Sequence, residues 1–206
     1  MFLKCTTQPS EEPLSIQEAK NHLRVDDDMT ADDVLIRALI AAARQYAESE
    51  CQRVFVTQSW QLVLDSFPGA LLSGQSPGYF NASVLELHRP TVQTIDSIQY
   101  LDMGNTWQTM PPTDYVADLN AAPARITPVF GRIWPITLPQ IASVKVNFTA
   151  GYGAAAAVPE GIKAWIKIRL ATLYENREEV AMMNRGKIEP LPYVDRLLDP
   201  YRVVSL

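Results

Sequence analysis

The chain has 206 residues, 47% of them hydrophobic and 20% charged, with 18 basic against 23 acidic side chains and a net charge of -5. Enough apolar material is present to bury one substantial core, which excludes a disordered tail, and no apolar run has the length that a bilayer interior of roughly 30 Å demands. The acidic balance is opposite in sign to that of a domain that works by gripping phosphates.

Acidity is concentrated at the N-terminal end: residues 1–53 hold 6 basic and 10 acidic residues, 54–157 hold 4 and 6, and 158–206 hold 8 and 7. Met1-Phe2-Leu3-Lys4-Cys5 lacks the basic-then-apolar pattern of an export signal. The two cysteines, Cys5 and Cys51, have neither the spacing of a zinc site nor the density of a disulfide framework. The expectation is a soluble chain made in a reducing cytoplasm.

In chain order, Ser15 followed three residues later by Glu18 predicts a capped start for a short helix running to about Arg24. After the acidic turn Asp26-Asp27-Asp28, Thr30 is placed to cap a second helix, with Asp32 and Asp33 at its positive end, reaching about Cys51. Its apolar residues fall on two adjoining stripes, Leu35, Ala38, Leu39, Ala42 and Tyr46 on one and Ile36, Ile40, Ala43 and Ala47 on the other. That arc is wider than one packed face needs, so two neighbours are implied. The second is either another element of the subunit or an adjacent copy.

From residue 54 the character changes. Nine of the fifteen prolines lie between Pro68 and Pro139, and Trp60-Leu62-Leu64 and Val144-Val146-Phe148 alternate with polar residues, as strands with one buried face do. Val84–Leu87 and Ile95–Leu101 read as further strands, with a hairpin turn at Asp102–Asn105. Pro111, Pro112, Pro123, Pro128 and Pro135 suit edges and connections. Pro159 then opens a third helix with Ile162, Trp165, Ile166, Leu170 and Leu173 as its buried stripe, ending near Asn176.

The expected fold is α+β: a helical bundle of two N-terminal helices (1–53) and one C-terminal helix (158–180), an inserted small antiparallel β domain (54–157), and an extended C-terminal tail (181–206). That tail keeps Tyr193, Leu197, Leu198, Tyr201, Val203 and Val204 despite its prolines, so it is expected to dock on something.

No catalytic arrangement stands out. His22 and His88 are the only histidines, and neither lies in a nucleophile motif. Asp26, Asp28 and Thr30 match the first alternating ligands of a calcium loop, but Ala31 stands where its glycine belongs and Arg37 where its bidentate glutamate belongs. Gly151-Tyr152-Gly153 has neither P-loop nor Rossmann spacing. Lys163, Lys167 and Arg169 surround the third helix's buried stripe with no interleaved aromatic platform, which is the pattern of a solvated face. No catalytic residue, cofactor or metal is expected.

Taken together, PLSIQEAKNHLRV (13–25) and LIRALIAAARQYAE (35–48) strongly resemble the start of tailed-phage head-tail connector (adaptor) proteins. QSW (58–60), LHRP (87–90), IQY (98–100), VNFTAGYG (146–153) and VPEGIKAW (158–165) are similar to the larger members of that group, which carry a β insertion. The likeness spans about residues 13–178. It implies a non-enzymatic protein of the virion neck that forms a homo-oligomeric ring, a dodecamer, below the portal protein. Such a ring extends the channel for double-stranded DNA and receives the next neck (stopper) or tail protein.

On that reading Tyr193, Leu197, Leu198, Tyr201, Val203 and Val204 dock on the portal, Ile36, Ile40, Ala43 and Ala47 meet the neighbouring subunit, and Asp26, Asp27 and Asp28 face the channel. An acidic lumen repels phosphates and lets DNA slide. The alternatives are a stopper or tail-completion protein of the same neck, or a phage-encoded hydrolase, which would need a paired-carboxylate or metal constellation.

Overall fold

A computed structural model describes residues 1–69, 83–176 and 192–203 of the chain. The fold is α+β and divides into two units: Ser10–Val56 joins the chain from Gly153 onward in a helical unit, and Met1–Pro9 joins Thr57–Tyr152 in a β unit.

In the helical unit, α1 (Ile16–Leu23) starts on the predicted cap. The Ser15 hydroxyl accepts the Glu18 amide at 3.2 Å, and the Glu18 carboxylate accepts the Ser15 amide at 3.0 Å, so two N–H groups that the helix leaves unpaired are both satisfied. Arg24, in the left-handed region at φ 58°, stops it. Helix α2 (Asp33–Cys51) begins later than Thr30 would have it. Asp32 stands at its N-cap without a capping side-chain bond, because its carboxylate instead accepts the Tyr174 hydroxyl at 2.5 Å. Helix α3 (Glu160–Glu175) follows Pro159, whose carbonyl accepts the amides of Ile162 and Lys163.

The core of this unit is the α2 stripe Ile36, Ile40, Ala43 and Ala47 together with Ile162, Trp165, Ile166 and Leu170 of α3, all buried. Two paired cations are buried with them. Arg44 of α2 bonds Glu12 at 2.7 Å and Glu48 at 2.7 Å, and Glu48 turns its other oxygen to the Phe55 amide at 2.9 Å. Burial works against the Arg44 charge, yet the bond to Glu12 and the charge of Glu48 outweigh it and hold the guanidinium pKa above its ordinary value. Lys20 of α1 reaches Asp33 at 2.7 Å. A cation lodged this way needs all its partners, since losing one leaves a charge out of water with nothing to offset it.

Among its described residues the β unit contains two antiparallel sheets. The larger has the order β1 (Phe2–Thr7), β2 (Gln58–Leu64), β8 (Val144–Ala150), β4 (Val92–Leu101), β5 (Trp107–Thr109), and the smaller β3 (Leu85–Leu87), β7 (Ala124–Pro128), β6 (Tyr115–Asp118). Strands β2 (Gln58–Leu64), β3 (Leu85–Leu87), β4 (Val92–Leu101) and β8 (Val144–Ala150) occupy the expected stretches. Along β8, Val144, Val146, Phe148 and Ala150 are buried and the residues between them are not, the period of two that marked it in the sequence. The β4–β5 (Trp107–Thr109) hairpin turns at Asp102–Asn105, where one Asp102 oxygen accepts the Gly104 and Thr106 amides at 2.9 Å each.

Three strands were not anticipated: β1 (Phe2–Thr7), β6 (Tyr115–Asp118) and β7 (Ala124–Pro128). Strand β1 corrects the expectation that residues 1–53 are wholly helical. It pairs with β2 from Phe2 opposite Val63 to Thr7 opposite Ser59, a partner more than fifty residues away, so no local pattern announces it.

Candidate functional site

Among the described residues no group of three or more His, Cys, Asp and Glu side chains is placed to hold a metal ion. His22 and His88 are both exposed, the latter 3.8 Å from Glu86. Cys51 is buried, and desolvation pushes its thiol up to about 11, so at neutral pH it stays protonated and unreactive. Three surfaces stand out among the described residues.

The acidic turn is the first such surface. Asp26, Asp27 and Asp28 are exposed, and buried Lys20 fixes the backbone beneath them by donating to the Asp27 carbonyl at 3.2 Å and the Met29 carbonyl at 2.8 Å. Gln17 also donates to the Asp27 carboxylate. The backbone of the turn is thus fixed beneath three exposed acidic residues.

The second is the C-terminal segment, and here expectation is corrected. Residues 192–203 are not extended: they form α4 (Pro192–Asp195) and a 3-10 turn over Arg196–Tyr201 on the helical unit itself. Leu198 is buried, and the Cys51 thiol points at its carbonyl. Trp165 donates to Asp195 at 3.1 Å, Arg53 donates to the Tyr201 carbonyl at 3.0 Å, and the Val203 amide donates to the Cys51 carbonyl at 3.1 Å. A Cβ on Gly161 would stand 2.9 Å from the Tyr201 hydroxyl, so the absent side chain is what lets the tyrosine lie against α3. Leu198 thus has no free side chain to offer a partner, while Leu197, Tyr201 and Val203 stay half-buried. An apolar segment has to be covered, but its composition does not name what covers it. The Tyr193 side chain and Val204 lie outside the described residues.

Helix α2 requires the second correction. Ile36, Ile40, Ala43 and Ala47, the expected inter-subunit residues, are at most 1% exposed and fill the unit's own core. The adjoining stripe faces out instead. Val34 is 77% exposed, Ala38 and Ala42 are exposed, and Leu35 and Leu39 are half-buried. Helical spacing puts these five residues with Gln45 and Ser49 on one face that carries no charge. Tyr46 stacks on Trp165 at 5.8 Å between centroids and marks the edge where α3 begins.

The third surface escaped the sequence reading. Between β7 and β8, residues 129–142 form an arm without regular secondary structure. Twelve large apolar side chains are exposed among the described residues, and four of them, Phe130, Ile133, Ile136 and Ile141, belong to this arm, a density no other stretch matches. The arm is nevertheless well held. Trp134 is buried, stacked on Phe67 at 4.6 Å, and donates to the Ser83 carbonyl at 2.7 Å. Arg132 pairs with Asp114 at 2.7 Å, the Leu138 amide bonds the Leu101 carbonyl at 2.9 Å, and the Ala142 amide bonds Asp65 at 2.9 Å. The available signal was a run of bulky residues between prolines, which reads equally well as buried packing.

The described residues thus present an acidic turn and exposed apolar faces on an α+β chain. Residues 13–85 match the family model described as Phage gp6-like head-tail connector protein, which bears out the resemblance over that stretch. No curated protein matches the chain.

Among solved structures, a chain in the neck of an empty GTA particle computed with C6 symmetry is similar at a TM-score of 0.78 and 21% identity, covering 100% of this chain and 97% of that one. A chain in the virion of the native gene transfer agent particle gives 0.77 and 20%, and one in the neck of the native particle computed with C12 symmetry gives 0.70 and 22%, with the same coverage. The whole chain, both units included, therefore has the fold of these chains.

Proposed function

We propose that this chain is a structural head-tail connector of a phage-like particle: a ring subunit of the virion neck, lying below the portal, lengthening the DNA channel and receiving the next neck or tail component. The observation that carries this reading is the match of all of this chain to nearly all of a neck chain, joined to a head-tail connector signature over residues 13–85. The sixfold and twelvefold symmetries used for those necks favour a closed ring.

In this reading the acidic turn Asp26–Asp28 faces the channel, where fixed carboxylates keep phosphates from adhering. The uncharged α2 face of Val34, Leu35, Ala38, Leu39 and Ala42 forms the wall between copies. The half-buried edge Leu197, Tyr201 and Val203 meets the portal.

Particles assembled without this chain test the reading. The expected result is DNA-filled heads that carry no tail and that gain one when the purified chain is added back, with a ring of it visible at the neck by electron microscopy. Tailed, infectious particles in its absence would refute it.

A further inference from the structure

Resting on the ring reading above, we propose that the arm of residues 129–142 seats its apolar tip on the α2 face of the next copy of this chain. A closed ring larger than a dimer is built from head-to-tail contacts, so each subunit needs two different surfaces that fit each other, one given and one received. The described residues supply such a pair. The arm projects Phe130, fully exposed, with Ile133 at 75%, Ile141 at 84% and Ile136 at 53%. The α2 face offers Val34, Leu35, Ala38, Leu39 and Ala42, in which the two alanines leave shallow space between larger neighbours.

Electrostatics favour the match, because burying an unpaired charge would cost more than the apolar contact returns. The α2 face has no charge, and Arg132, the arm's one charged residue, is already paired with Asp114 at 2.7 Å. Area favours it as well. The four arm side chains present on the order of 500 Å² of apolar surface, the upper end of what a monomer leaves in water. That is more than half of the ~800 Å² that each partner contributes to a stable interface. The arm is also fixed before any contact by Trp134, Arg132, Leu138 and Ala142, so little ordering cost remains for association.

Disulfide trapping in assembled necks tests the pairing, in a Cys5→Ser background that leaves only buried Cys51. The double variant Ile133→Cys with Ala38→Cys is expected to give a ladder of covalent oligomers up to the full ring, and each single variant none. Rings that form without the ladder, dimers from Ile133→Cys alone, or an adduct of that cysteine with a different neck protein would each overturn the pairing while leaving the ring intact. Absence of any ring overturns the ring reading along with it. As a second measure, Phe130→Asp is expected to keep the thermal unfolding profile of the parent and to weaken ring assembly about tenfold or more; unchanged assembly would also refute the proposal.

Discussion

Residues 129–142 of the β unit and 192–203 of the helical unit are the same kind of sequence: short, interrupted by proline, bulky and apolar. In the helical unit Leu198 is driven inward and the backbone around it is tied to Cys51 and Arg53. In the β unit the arm is driven inward at Trp134 and Thr137, while four large apolar side chains stay exposed. The difference teaches that apolar composition fixes a demand for cover without fixing its source. A segment whose own unit leaves an unfilled site on α2 and α3 is consumed in folding; a segment anchored at a few positions keeps its other apolar side chains exposed.

The contrast is strongest in a pair of truncations that remove similar amounts of side chain from the two segments. Leu198→Ala is expected to cost about 2–5 kcal/mol in the unfolding of the helical unit, followed by helical circular dichroism in denaturant, because it empties a packed site. A loss under about 0.5 kcal/mol would mean that the segment is not held as described.

A smaller effect serves to calibrate the helical unit. Ser15→Ala removes half of the capping box and is expected to cost about 1 kcal/mol near neutral pH. The Glu18 pKa is lowered, first by the bond from the Ser15 backbone amide, against some desolvation, and then by the Ser15 side chain. A depressed carboxylate stabilises the fold fully above its unfolded pKa and ceases to as pH falls through its folded one. The cost of Glu18→Ala, measured in the same unfolding assay, should therefore shrink as pH falls below the ordinary glutamate range, and a cost independent of pH would argue against the reciprocal bond. The smallest effect completes the comparison with Leu198. Phe130→Ala should change the stability of the isolated chain by no more than about 0.5 kcal/mol, since an exposed ring contributes little to folding. A drop of 2 kcal/mol or more, on the scale of a core truncation, would show the arm's tip to be part of a core and erase the distinction.

Much was legible in the residues alone. The Ser15–Glu18 cap, the three helices, the alternation along β2 and β8 and the Asp102 hairpin are all local devices, written in spacings of two to four residues, and each lies where it was expected apart from the later start of α2. The head-tail connector likeness was equally legible, because order and spacing of short segments survive where identity has fallen to 21%. The α2 helix shows the boundary. Its sequence established that two apolar stripes exist, but the Ile36, Ile40, Ala43 and Ala47 stripe expected to meet a neighbour is the reverse of what packing left exposed.

That reversal has a physical reason. Periodicity specifies which residues share a face, whereas which face is buried depends on where α3 and the C-terminal segment come to rest, more than a hundred residues away. Strand β1 was invisible on the same account, since its partner is chosen across the intervening helices. Local hydrogen bonding and side-chain period were thus determined by the sequence as it stands. The choice between covering an apolar surface internally and leaving it for another molecule was made only by the tertiary structure, because that choice compares contacts which no short stretch of chain contains.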